Sequence, residues 1–263
     1  MHEFAFVFAG FAVGLVVGLT GVGGGSLMTP LLIFFFGIKP HLAIGTDLLF
    51  AAFTKMGGTV SLARARVVDW KIVGQTAAGS IPASLATLYM LQRLGPANPG
   101  TQTIMTTTLG LALLLTAGAT FYKAVRGKAA PTTIAPEEIV QATRSRHWAL
   151  PLLFGAVIGT LVTLTSVGAG AIGVIVLMLL YPTLPLPRIV AADIAHAVPL
   201  TLVAGLGHAS IGSVDWSLLI KLLAGSLPGI WLGSHLVHKT PDRVIRSLLS
   251  VLLAYAGVKL ISI

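Results

Sequence analysis

The chain has 263 residues, 55% of them hydrophobic and only 10% charged, with a formal net charge of +9 and a mean hydropathy of +0.92. Soluble domains carry about 25% charged residues, so a water-facing globule is excluded. The absence of cysteine also excludes disulfides, thiolate metal sites and cysteine nucleophiles.

Long apolar stretches recur along the chain, and because they are continuous rather than alternating they predict helices and not a barrel. Met1-His2-Glu3 has no basic n-region and glycines interrupt the apolar run after it, so no cleaved signal peptide is expected. As one straight helix, residues 4–36 would reach roughly 50 Å, longer than the ~30 Å hydrocarbon layer. Gly21-Val22-Gly23-Gly24-Gly25 supplies a place to break it. Spans are then predicted over 41–62, over 69–92 starting at Asp69-Trp70, and over 101–122. Residues 123–147 hold Pro131, Pro136 and several charges, which predicts a solvated cytoplasmic linker. A second interrupted stretch, 148–181, follows, and then spans over 187–207, 215–238 and 243–263.

The second set repeats the first. "GLVVGLTGVGGGS" from Gly14 faces "GTLVTLTSVGAGA" from Gly159, and "GTDLLFA" from Gly45 faces "AADIAHA" from Ala191. Val67-Val68-Asp69-Trp70 faces Ser213-Val214-Asp215-Trp216, and "AGSIPAS" from Ala78 faces "AGSLPGI" from Ala224. One residue of slippage, near Lys39 and Arg188, keeps these motifs in order. The prediction is an all-α integral membrane protein of two homologous four-segment repeats, 1–122 and 148–263, with eight to ten transmembrane helices and half-helices in all.

Charge placement orients the repeats. Arg64, Arg66 and Lys71 cluster in one loop of the first repeat, whereas the equivalent loop, 208–215, has no Lys or Arg, and Lys239, Arg243 and Arg246 cluster one span later. If each glycine-broken stretch folds back, all the basic clusters fall on the cytoplasmic side and the repeats are inverted. The remaining basic residues meet anionic headgroups, and no nucleic-acid partner is implied.

These motifs resemble the TauE/SafE sulfite exporter family, also described as sulfonate uptake permeases. The resemblance covers both halves. It rests on Gly21-Val22-Gly23-Gly24-Gly25 followed by Pro30, on Gly45-Thr46-Asp47 and Val67-Val68-Asp69-Trp70, and on "HASIGSVDW" from His208 and "LAGSLPGIWLGSHL" from Leu223. The second copy departs from a glycine-rich turn, with Ser166-Val167-Gly168-Ala169-Gly170 in its place. The resemblance implies a multi-pass carrier of the cell inner or plasma membrane for sulfite, sulfonates or related anions, often driven by protons. It implies no enzyme activity. A carrier of another anion, an anion channel and an intramembrane enzyme are the alternatives; Ser226 has no partner in sequence for the last. A homo-oligomer is left open.

Certain residues suit such chemistry. No Gly-Lys-Ser/Thr follows Gly25, so the phosphate-loop reading fails, and a pump is disfavoured unless a partner supplies the ATPase. Broken helices instead leave free N–H groups and positive dipole ends at the midplane, where Gly23, Gly24, Gly25 and Ser26, with Thr29 nearby, and Gly168 and Gly170 in the second copy, can meet an anion; tight packing by small residues is the plainer reading. Asp47 and Asp193 occupy matching places two turns into second spans. An intramembrane carboxylate costs at least ~2.5 kcal/mol on insertion scales, and low dielectric favours a carboxyl group's neutral form. Both are candidate proton-coupling residues, against the plainer role of helix-entry caps. Lys55 follows Asp47 on a similar face as a candidate anion ligand, against snorkelling; its counterpart is Thr201. His196, three residues after Asp193, can relay protons or donate to the anion, or simply pair with Asp193. Asp69-Trp70 and Asp215-Trp216 read as caps and interface anchors. His208, His235 and His238 are too scattered for a metal, and no cofactor is called for.

Overall fold

The computed structural model describes residues 2–20, 25–126, 149–236 and 242–262. Over these the chain is helical: α1 (His2–Thr20), α2 (Gly25–Phe36), α3 (Pro40–Arg64), α4 (Trp70–Leu94), α5 (Pro99–Arg126), α6 (Ala149–Thr165), α7 (Ala171–Leu180), α8 (Leu186–Ser210), α9 (Trp216–Leu236) and α10 (Asp242–Ile261). Pro99–Tyr122, Leu186–Ser210 and Trp216–Leu236 are long and apolar enough to cross a membrane. The 25 residues of α3 give it a similar reach of about 37 Å. Its second half, however, carries Thr54, Lys55, Thr59 and Ser61.

The predicted interruption of the first stretch falls between α1 and α2, and Gly23 and Gly24 lie outside the described residues. So does most of the predicted linker, since α5 runs to Arg126 and description resumes at α6. The second interruption is described. Between α6 and α7, Ser166, Gly168 and Gly170 take φ of 60°, 133° and 126°. Two of these left-handed positions are glycines, which adopt them without a Cβ penalty; Ser166 occupies its own at a cost of about 1–2 kcal/mol.

Close packing joins elements from opposite ends of the chain. Gly10, Gly14 and Gly18 of α1 meet the backbone at Leu222, Ser226 and Ile230 of α9, and a methyl group on any of them would overlap it. Gly155 and Gly159 of α6 meet Thr76 and Ser80 of α4 in the same way. In both pairs the residue numbers rise together, so each pair runs parallel. Missing side chains let the axes approach, which is how helices associate where lipid removes the hydrophobic driving force. In contrast, Gly45 of α3 meets His208 of α8 while Leu49 meets Gly205, so these two helices run antiparallel. The same holds for α5 and α10, where Gly110 meets Ile261 and Leu114 meets Gly257.

Large apolar side chains cover the outside, among them Phe8, Leu115, Leu153, Ile220, Trp231 and Leu248, as a lipid-facing surface requires. Asp69 accepts from the N–H groups of Lys71 and Ile72, and Asp215 accepts from Leu218 N–H. Trp70 and Trp216 beside them are exposed. Both aspartates are thus helix caps, as the sequence predicts, and each has an exposed tryptophan beside it.

Candidate functional site

Polar side chains gather where α3 and α8 cross. Asp47 lies past the first turn of α3 and is fully buried, and Asp193 holds the matching place in α8 at 2% exposure. Neither stands at a helix entry, so the capping alternative does not apply to them. The N-terminal halves of the two short helices stand against these carboxylates. Thr29 of α2 donates its hydroxyl proton to Asp47 Oδ2. Gly173 of α7 sits so close to Asp193 Oδ1 that a Cβ there would overlap it.

Ser166, at the α6–α7 break, brings its hydroxyl toward Asp47, so elements from both ends of the chain meet at one carboxyl group. Asp47 Oδ1 nonetheless completes no well-formed hydrogen bond among the described residues. Lys55 is half-buried and lies within electrostatic range of both Asp47 and Asp193. His196 is buried within range of Lys55, and its Nε2 makes a 2.8 Å hydrogen bond with Ser80 Oγ of α4. Lys55, Asp47, Asp193 and His196 therefore form one cluster.

The glycines divide. Gly25 opens α2 and Ser26 lies in its first turn, one turn from Thr29. Gly170 precedes α7, while Gly168 packs against Leu161 and Val162 of α6. Ser80 was legible only as part of a Ser-x-Pro kink; its recurrence as Ser226 was the signal that the position is special. Ser226 itself leans on the Leu223 carbonyl at 3.4 Å, with Gly14 packed over its backbone. A groove of about 560 Å³ lined by Gly79, Pro82, Leu152 and Ala156 lies on the apolar surface between α4 and α6 and holds none of the cluster residues.

The cluster is asymmetric along α3. Buried residues of α3 end at Ala52, and Gly57 and Gly58 face open space. In α8 the burial continues through Thr201, Ala204, Gly205 and His208. Lys55 thus stands where tight packing gives way, on the side of Arg64 and Arg66.

The model of the family described as "Sulfite exporter TauE/SafE" matches residues 6–260. Among curated proteins, the chain is 36% identical to the probable membrane transporter protein YjnA of Bacillus subtilis, over 97% of this chain and 98% of that one. It is 27% identical to the probable membrane transporter protein YdhB of the same organism, over 95% and 97% of the two chains. No solved structure matches it.

Proposed function

The chain belongs to the sulfite exporter TauE/SafE family of multi-pass membrane transporters of the cell membrane, and from that premise we propose that it is a proton-coupled secondary carrier of sulfite or a related sulfur oxoanion or organosulfonate. The observation that carries this reading is that Lys55 lies within electrostatic range of two buried carboxylates, one bonded to Thr29 of α2 and the other packed against Gly173 of α7. A helix N-terminus favours negative charge. With Asp47 ionised, that charge is the protein's own. With Asp47 protonated, Thr29, the α2 N-terminus and Lys55 are free to hold an oxoanion in its place. Anion and proton then move together. Asp193 and His196 offer the same exchange around α7.

The two repeats are proposed to be inverted. Support comes from the antiparallel α3–α8 and α5–α10 pairs. Each pair joins equivalent elements of the two halves, and a two-fold axis can set an element antiparallel to its own image only by lying across it, in the membrane plane. Cysteines placed singly at Arg66 and Ser210 should be labelled by an impermeant reagent from opposite sides of the membrane. Labelling of both from one side would defeat the inversion.

Alternating access is supported by the looseness of α3 beyond Ala52 against the tight packing of α8 around His208. In proteoliposomes loaded with sulfite, flux should saturate, run uphill under an imposed pH gradient and be competed by sulfonates. Flux indistinguishable from empty liposomes, with folded protein present, would remove sulfite as the substrate.

A further inference from the structure

At the opposite end of the α3–α8 contact from Lys55, two buried histidines lie within electrostatic range of each other. His208 is fully buried and His41 is 6% exposed. His41 lies one turn before Gly45, whose backbone touches His208 Cβ and the Ser213 carbonyl so closely that no side chain fits between the helices. His208 Nε2 makes a 2.9 Å hydrogen bond with the Thr163 carbonyl. A carbonyl only accepts, so the proton sits on Nε2 and Nδ1 is a bare acceptor. Nδ1 of His208, Nδ1 of His41 and Oγ of Ser213 are all buried without a hydrogen-bond partner among the described residues.

We propose that His41 and His208 form a second proton-binding site, on the face opposite Arg64 and Arg66, whose occupation opens the α3–α8 contact at Gly45. The charged groups around the pair do not compensate a proton. On α3, Lys39 precedes His41, and Asp47 is engaged with Thr29. At the start of α9, Asp215 is exposed and caps Leu218. The neighbours from α5 and α6, Gln102 and Thr163, hydrogen-bond the rings of His41 and His208 but carry no charge. A proton on either ring leaves a cation in a sealed contact, which costs several kcal/mol unless water or an anion enters. Parting α3 from the Ser213 carbonyl relieves that cost and admits both. The inference places the site within the carrier reading given above, but the pair's response to protons requires no particular substrate.

The cysteine-free chain gives a direct test. In the full-length protein in liposomes, a cysteine replaces buried Ser213, and in a second variant exposed Ser210, and both are labelled with a thiosulfonate reagent. The ratio of the two labelling rates cancels the reagent's own pH dependence. It should rise about tenfold between about pH 8 and about pH 4, a window that spans the ordinary histidine range and the acid side to which burial moves a buried imidazole's protonation. His208→Gln, whose amide can still donate to Thr163, should make the ratio flat, and so should His41→Gln. Should His208→Gln fail to assemble, His41→Gln decides the same question. A ratio that is flat or falls with both histidines present would overturn the proposal, as would an unchanged rise in the glutamine variants. Either result stands apart from sulfite flux, whose loss would count against the substrate reading alone.

Discussion

Asp47→Asn should abolish uphill anion flux driven by a pH gradient, a drop on the order of a hundredfold or more, while the amount of folded protein is kept. Asparagine has the shape of aspartate and still accepts from Thr29 through its carbonyl oxygen, so the packing of α2 on α3 survives. What it loses is the ability to change charge. In the proposed cycle the N-terminal half of α2 alternates between the protein's carboxylate and the substrate. A permanently neutral residue leaves the anion site always available and the proton without a seat. Downhill anion exchange should therefore persist when uphill flux is gone. Measuring both in the same proteoliposomes separates the roles: uphill flux equal to that of the unmodified protein would remove Asp47 from coupling.

Lys55→Met should raise the half-saturating anion concentration on the order of a hundredfold, the scale of removing one member of a buried charge pair. Methionine keeps the length and the apolar stem but removes the cation within electrostatic range of Asp47 and Asp193. Lys55→Arg should restore part of the affinity, since the charge returns on a wider head. Thr201, in the equivalent place in α8, already hydrogen-bonds the Ala197 carbonyl and offers no substitute charge. Saturation unchanged in Lys55→Met would show that the lysine serves only to hold the helices.

Much of this was legible in the sequence because membrane helices announce themselves by length and their boundaries by Asp-Trp, proline and glycine. The span predicted over 69–92 became Trp70–Leu94, and the interruption at 166–170 became the gap between α6 and α7. Asp47, Asp193, Lys55 and His196 were readable as ionisable residues inside predicted spans, each with a plainer structural role beside its functional one. The contacts that join them were not. Ser80 reaches His196, and Thr163 reaches both Ser84 and His208, across helices far apart in the chain. No periodicity within one segment encodes which other segment it will face. His208 looked scattered because its companion, His41, lies on an antiparallel helix, where proximity in space runs opposite to order in sequence.

The glycine contacts of α1 with α9 and of α6 with α4 have an ancestral consequence. The first helix of each half is held against the fourth helix of the other, so neither half closes its own structure. With the proposed inversion, a gene encoding a single half would have had to insert its product into the membrane in both directions. Two such copies would then have exchanged first helices to form an antiparallel pair. On that reading, fusion through a linker would have fixed one copy in each direction and let them diverge, so that one could keep a lysine where the other has threonine.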